Sequence, residues 1–443
     1  MLSIIAFLTV ITIVALLISG KISPIVGLVL VPVVAALVAG FPVAEIGEFF
    51  NEGIDSVISV VIMFIFAILF FGIMQDTGLF DPFINKVISL TRGSVIAVAV
   101  GTVIIGAVTH LDGSGASTFL ITIPALLPIY LKLRMSPYLL LLLVGLSASI
   151  MNLVPWAGPI GRAGAVLGVD PTELWRPLIP VQLSAMVMLL LLAVFLGLRE
   201  KKRIAKLDEH PEMSGADEEV AATLDEPMEQ PAGLKTDSLK RPKLIWLNAL
   251  IAVSVIGLLV WGIIPSGFVF MIALSLALPI NYPNVQDQMS RIKEHAPNAL
   301  MMAAIILGAG SFLGIMEGTG MLDSLAVDLV AILPAFIVPY LHVIMGVFGV
   351  PFDLVLSTDA YYFALLPIVE QIVTAQGIDS ITAAYTMIIG NIIGTFVSPF
   401  SPALWLALGL AGLEMGRHIR YSFFWVWGFS VALLIVAFLI GVI

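Results

Sequence analysis

The segment "THLDGSGAST", residues 109–118, sets an imidazole, a carboxylate, two glycines and four hydroxyl side chains inside an otherwise apolar run. A second interruption, "PFDLVLSTDAYY" at 351–362, supplies Asp353, Ser357, Thr358 and Asp359. Carboxylates at such positions bind protons or hard cations. Hydroxyls coordinate cations or hydrogen-bond the oxygens of another carboxylate. Two further interruptions, "NLVPWAGPIGRAG" from Asn152 and "NIIGTFVSPFSPALW" from Asn391, are broken by Pro and Gly.

Residue type assigns the candidate roles. Asp112, Asp353 and Asp359 are candidates for metal ligation or proton binding, and His110 for relaying protons. Ser114, Ser117, Thr118, Ser357 and Thr358 suit carboxylate oxygens or a cation, with Asn152, Asn391, Thr395, Ser398 and Ser401 as further polar contacts. Gly113, Gly115 and Gly158 let the backbone come close to a ligand. Arg162 is the basic side chain placed to clamp a carboxylate bidentately, and Trp156 is placed to line a cavity. Each type also has an ordinary use. Ser and Thr bond to their own helix, Asp caps a half-helix, Arg snorkels, and aromatic rings pack between helices.

Composition says what surrounds these residues. Of 443 residues 60 % are hydrophobic and 11 % charged, against about 25 % charged in a soluble domain. Lipid is therefore the solvent for most of the chain. The net charge of −10 marks no partner, because the charges are clustered, and nothing points to nucleic acid. Cysteine is absent, which excludes disulfides and thiolate metal sites. The opening "MLSIIAFLTVITIVALLISG" lacks a basic start and a small-residue cleavage site, and reads as a retained helix.

Apolar runs at 3–18, 25–38, 57–74, 138–167, 178–198, 244–264, 268–280, 299–316, 381–410 and 423–442 are candidate spans. Two stretches, 95–131 and 337–372, are too long for one crossing and read as re-entrant hairpins. Segment 199–243 is basic at both ends and acidic in its middle, the composition of a disordered linker. With that linker in the cytoplasm, all of the 20 Lys and Arg except Arg162 and Arg176 fall inside. Both termini then lie outside, and 41–53 and 317–334 read as outer loops holding acids and no bases.

The chain also matches itself. "GIMQDTGLFD" at 72–81 returns as "GIMEGTGMLD" at 314–323, an offset of 242. "ALLPI" at 125–129 returns at 364–368, and "GVDPTELWR" at 168–176 is echoed by "GLEMGRHIR" at 412–420. The expected fold is an all-α polytopic membrane protein made of two halves, 1–198 and 244–443, each with five spans, a hairpin and a broken helix. An odd number of crossings inverts the second half relative to the first. Each hairpin tip is expected to face the broken helix of its own half near the bilayer centre, where free helix N-termini suit an anion. Inverted repeats with paired broken helices mark secondary transporters.

At "FGIMQDTGLFDP", "LDGSGASTFLIT", "NLVPWAGPIGRAGAVLGVDPTEL", "NYPNVQDQMSRIKEHA", "GTGMLDSL" and "STDAYYFALLPI" the chain resembles the citrate–divalent-metal:proton symporter family (CitMHS) of the ion-transporter superfamily. The resemblance covers nearly everything but the linker. It implies a homodimeric inner-membrane symporter that takes up citrate with a divalent cation, Mg²⁺ or Ca²⁺, and protons by an elevator-like movement. No permanently bound cofactor is implied. Where the family's first tip usually reads Asp-Gly-Asp-Gly, this chain has Asp112-Gly113-Ser114-Gly115, one carboxylate fewer. The second broken helix also departs from the form of citrate members. A carrier of free di- or tricarboxylates coupled to Na⁺ or protons is the alternative reading; a passive anion channel and an intramembrane protease are remoter ones. The protease reading lacks its Gly-x-Ser-Gly order, and no zinc motif is present.

Overall fold

Leu, Ile, Val and Ala dominate the chain, and with no water to satisfy backbone groups they fold as helices. In the computed structural model, which describes residues 1–18, 22–91, 93–209 and 238–443, nineteen α-helices form and no strand occurs among the described residues. The first half runs α1 (Leu2–Ile18), α2 (Pro24–Ala39), α3 (Val43–Asp76), α4 (Asp81–Thr91), α5 (Val95–Thr109), α6 (Gly115–Lys132), α7 (Pro137–Met151), α8 (Gly158–Leu167) and α9 (Pro171–Glu209). The second runs α10 (Ile245–Trp261), α11 (Ser266–Asn281), α12 (Val285–Gly318), α13 (Met321–Ile332), α14 (Leu341–Val347) and α15 (Gly349–Asp353). A π-helical turn, Ala360–Leu365, then leads into α16 (Leu366–Thr374), followed by α17 (Ser380–Ile392), α18 (Pro402–Ala411) and α19 (Met415–Leu439).

Local chemistry sets these boundaries. Prolines begin α2, α7, α9 and α18, where a missing N–H costs nothing. Left-handed Gly40, Gly168, Gly262 and Gly412 end α2, α8, α10 and α18. Among the described residues seven helical segments, α3, α9 and α12 included, are long and apolar enough to cross a membrane.

Two long central helices hold the molecule together. α3 and α12 each have 34 residues, roughly 51 Å at 1.5 Å per residue, and they pack antiparallel along their length. Gly53 lies directly on the backbone of Gly310 and Gly314, and Gly72 lies beneath the His295 ring. A Cβ at Gly53 would run into the Gly310 carbonyl and, at 2.9 Å, the Cα of Gly314. Only glycine permits this separation.

These helices correct one expectation. Segments 41–53 and 317–334 are largely helical rather than loops, because α3 begins at Val43 and α13 fills Met321–Ile332. Glu45, Glu48 and Glu52 continue the i→i−4 ladder of α3 beyond its apolar window, since Glu is a good helix former wherever it faces water. The linker is shorter than 199–243 for a similar reason. α9 continues to Glu209, and its extension is pinned where Glu200 accepts from Ser136 N (2.6 Å) and pairs with Arg203 (2.7 Å). At the other end Arg241 N donates to Thr77 O (2.9 Å), its guanidinium covers Tyr282 (4.7 Å), and Lys240 pairs with Asp81 (3.1 Å). The intervening residues 210–237 lie outside the described ones.

Two hydrophobic cores result. One gathers α5, α6, α7 and α9 with α17, α18 and α19; the other gathers α1, α2 and α3 with α10, α11, α12 and α13. The return arm of the second hairpin serves both: Tyr361, Tyr362, Leu366 and Val369 enter the first core, while Ala360, Phe363, Ala364 and Ile368 enter the second.

Candidate site at the helix interruptions

The first tip is a single tight turn. His110–Asp112 form a 3₁₀ turn, Gly113 reverses the chain at φ 73°, and Ser114 caps α6. The Asp112 carboxylate folds back over the start of α6, accepting from Ser114 N (2.8 Å) and from the Ser117 hydroxyl. His110 is fully buried and works as a bolt. Its Nδ1 lies 2.7 Å from Thr118 Oγ1, which itself donates to Ser114 O (2.8 Å), and its Nε2 lies 2.9 Å from the side-chain oxygen of Asn152 at the end of α7. The imidazole is thus engaged on both nitrogens.

The second tip is built differently. α15 ends at Asp353, which is 2 % exposed. Asn391 Nδ2 donates to Asp353 Oδ1 (2.8 Å), and Ser398 Oγ donates to the Asp353 carbonyl (2.6 Å). Asp353 Oδ2 and Asn391 Oδ1 are both buried and have no hydrogen-bond partner. Ser357 accepts from Ala360 N (3.2 Å) and so starts the return arm, with Thr358 half-buried beside it. Asn152 and Asn391 stand 239 residues apart in equivalent places, and each holds the tip of its own half's hairpin.

An ion pair joins the halves here. Arg162 Nε on α8 donates to Asp359 Oδ1 of the second tip at 2.7 Å, with both side chains 11 % exposed. Gly158 makes the room: a Cβ there would collide with Arg162 Nη1. The clamp expected for a ligand carboxylate is therefore engaged by a carboxylate of the protein, and Asp359 is matched by a cation. The packing also runs across the halves. α6 lies on α18, with Gly115 against Phe396 and Ala403, and α8 lies on the π-helical turn. Asn152 and Asn391 hold each tip to the break of its own half, Arg162 ties the second tip to α8 as well, and the return arms pack on the other half's broken helix.

Other predicted residues take structural positions. Trp156 is buried, stacks on Phe71 (4.8 Å) and donates to Leu111 O (2.8 Å). Thr395, in the turn beyond α17, donates its Oγ1 back to Ile392 O (2.7 Å) at the end of that helix. Ser401 precedes α18 without capping it through its side chain, and α8 likewise has no side-chain cap. Pro159 and Pro402 carry no N–H there, and Leu404 N donates to Ser401 O (3.1 Å), so Ala403 N–H is the one left to another acceptor at the start of α18. Phe396 is a residue that the sequence alone does not single out. It fits edge-on against His110 (5.7 Å) and Phe119 (5.2 Å), and its signal was its position within the second interruption. Among the described residues no three His, Asp or Glu side chains converge as a metal cage.

Comparison with known proteins agrees over the whole chain. The family model described as citrate transporter (CitMHS) matches residues 13–390. A "Citrate transporter" of Bacillus subtilis (strain 168) is 36 % identical over 445 residues, covering 100 % of both chains. The "Mg(2+)/citrate complex secondary transporter" of the same organism is 38 % identical over 443 residues, covering 100 % of this chain and 99 % of that one. Among solved structures, the Alcanivorax borkumensis YdaH transporter aligns over 90 % of each chain with a TM-score of 0.56 at 17 % identity, a likeness of fold. These relatives are transporters and not enzymes. The all-helical chain, with its interrupted helices and paired tips, belongs to the CitMHS family of citrate transporters.

Proposed function

We propose that this protein imports citrate across the plasma membrane as a complex with a divalent cation, Mg²⁺ or Ca²⁺, in symport with protons. The cation enters as substrate. In this reading 210–237 is cytoplasmic, both termini lie outside, the chain works as a homodimer, and 1–198 and 244–443 are its two inverted repeats. The core that carries the first hairpin, α7 and α17–α19 moves as an elevator against the core built on α3 and α12. Having two separate cores supports that division.

The observation that carries the metal reading is the Arg162–Asp359 pair. Free citrate is a trianion near neutral pH, and the one arginine at the interruptions is already neutralised. Two unit negative charges at 4 Å repel by about 4 kcal/mol at an effective dielectric of 20, so the Asp112 carboxylate disfavours a bare polyanion. Chelation by a divalent cation reduces citrate to a monoanion and turns Asp112 from a repulsive neighbour into an oxygen ligand. The uncapped starts of α8 and α18 supply N–H groups for the remaining carboxylate oxygens. A relative named for the Mg²⁺/citrate complex gives the same direction.

Calorimetry of citrate binding at fixed pH, with Mg²⁺ and then with EDTA, tests the proposal. Binding is expected only with the divalent ion. Equal affinity in both conditions overturns the metal complex and favours the carrier of free carboxylate. Proteoliposome uptake, varying metal, pH and Na⁺ one at a time, separates proton from sodium coupling, and accumulation against a gradient separates a carrier from a channel.

A further inference from the structure

The two hairpin carboxylates outside the ion pair are both buried but differ in their hydrogen bonds. Asp112 accepts two hydrogen bonds at the start of a helix, beside half-exposed Ser114 and Ser117. Asp112 is itself buried, at 8 % exposed, and these two donors favour its charged form, in which it can face a ligand cation. Asp353 is buried, receives one amide hydrogen bond, and presents an orphaned Oδ2. That oxygen lies against the backbone of Gly394, where a Cβ would overlap it and leave 3.1 Å to the carboxyl carbon.

From this contrast we infer that Asp353 is the side chain that carries the coupled proton, while Asp112 meets the metal–citrate complex. The inference rests on the proton symport proposed above and assigns it a residue. An ionised carboxylate without a cation partner is too costly to bury, whereas its protonated form is an ordinary neutral group. A desolvated cation such as Na⁺ needs several oxygens around open space, and Oδ2 touches backbone instead. An added proton is the smallest group that supplies a donor to a pair in which Asp353 Oδ2 and Asn391 Oδ1 both lack one.

Among the described residues no charged group offsets Asp353 from the elements around it. On the return arm, Tyr361 OH donates to the carbonyls of Met345 (3.1 Å) and Met387 (3.3 Å), Tyr362 OH has no partner, and Asp359 is held by Arg162. On α14 stands His342, whose Nδ1 has no partner. α17 brings Tyr385, and Asp379, which caps its far end by accepting from Thr382 N (3.1 Å). α19 brings His418, whose Nε2 lies 3.2 Å from Phe396 O, together with Arg420, Tyr421, and Arg417 paired with Glu414 at 3.1 Å. Among the described residues only Asn391 hydrogen-bonds the Asp353 carboxyl. Transport then requires one balanced step on each side: the carboxylate takes up one proton where the moving core faces outward and gives it up where it faces inward.

The test uses the full chain in proteoliposomes with radiolabelled citrate and Mg²⁺. Each coupled proton multiplies the accumulation ratio about tenfold per pH unit of gradient. Asp353→Asn mimics the protonated form, so its accumulation should fall about tenfold per pH unit of gradient relative to wild type. Its citrate exchange without a gradient should also vary less than that of wild type between about pH 6 and about pH 8, a window reached by perturbed carboxyls. Asp353→Glu should restore a pH-dependent profile. Asp353→Asn with wild-type pH-driven accumulation overturns the inference. If wild type itself ignores the pH gradient, the proton symport fails instead, and the two failures are told apart. Should Asp353→Asn not purify as monodisperse protein, infrared difference spectra of wild type across the same pH window decide. A protonated-carboxyl C=O band that is lost at high pH and kept in Asp112→Asn supports Asp353, and absence of any such band overturns it.

Discussion

Replacing Asp359 by Asn removes one partner of the pair that ties α8 to the second hairpin. At 2.7 Å, unit charges attract by about 6 kcal/mol at an effective dielectric of 20. Withdrawing the two ions from water costs several kcal/mol each, so the intact pair contributes little net stability. Breaking it is another matter. With Asp359 neutral, Arg162 keeps its charge in a site where its side chain is 11 % exposed, and an orphaned buried charge of that kind costs about 3–5 kcal/mol. Arg162→Met should cost a similar amount by stranding Asp359. The double variant Arg162→Met/Asp359→Asn strands neither and should return to within about 1–2 kcal/mol of wild type. Reversible unfolding in mixed detergent micelles with added SDS, followed by tryptophan fluorescence, yields all three values. A coupling energy below about 1 kcal/mol, the worth of an exposed pair, would refute the reading of a desolvated bridge.

Asp112→Asn should lose Mg²⁺–citrate binding by calorimetry, while Ser117→Ala, which removes one hydrogen bond to that charge, should weaken it by about tenfold to a hundredfold. Gly113→Ala forces an L residue to φ 73° with its Cβ 3.2 Å from Trp156 O, costing about 1–2 kcal/mol from backbone strain alone; a lowered melting temperature checks it. Gly310→Leu should abolish folded protein in size-exclusion chromatography, because α3 and α12 cannot separate without emptying the core beside them. Asp217→Asn, outside the described residues, should leave uptake unchanged, and a Cys at Ser214 should react only from the cytoplasmic side.

The interruptions were legible because polar residues within apolar runs are costly, and lipid allows few of them. The hairpin at 95–131 and the breaks after Asn152 and Asn391 appear where Pro, Gly and hydroxyl residues cluster. Helix ends that leave the bilayer were not legible. The acidic start of α3 and the basic end of α9 read as loop and linker, since hydropathy reports lipid contact and not backbone hydrogen bonding. The Arg162–Asp359 bridge spans 197 residues and two halves, and no local pattern encodes such a pairing. Asn391 was named for the break it precedes; that it also holds Asp353 follows only from the fold. The π-helical turn at Ala360–Leu365 had no sequence signature at all.

The seam between α3 and α12 reads differently once the offset of 242 is applied to it. Position 53 corresponds to 295 and position 72 to 314, so the contact of Gly53 with Gly314 and that of Gly72 with His295 are one contact made twice. This is the self-complementary pairing of a twofold homodimer, here within a single chain. The two ends are no longer alike. Where one offers bare glycines at 53 and 318, the other has His295 bonded to Asp76 at 2.9 Å, with Arg291 at 3.5 Å. A fused dimer of this kind keeps its subunit interface after the peptide joining its halves is cut. Coexpressed fragments ending at Glu209 and beginning at Ser238 should therefore find each other and copurify, and the polar latch at His295 makes the two ends of the reassembled pair distinguishable.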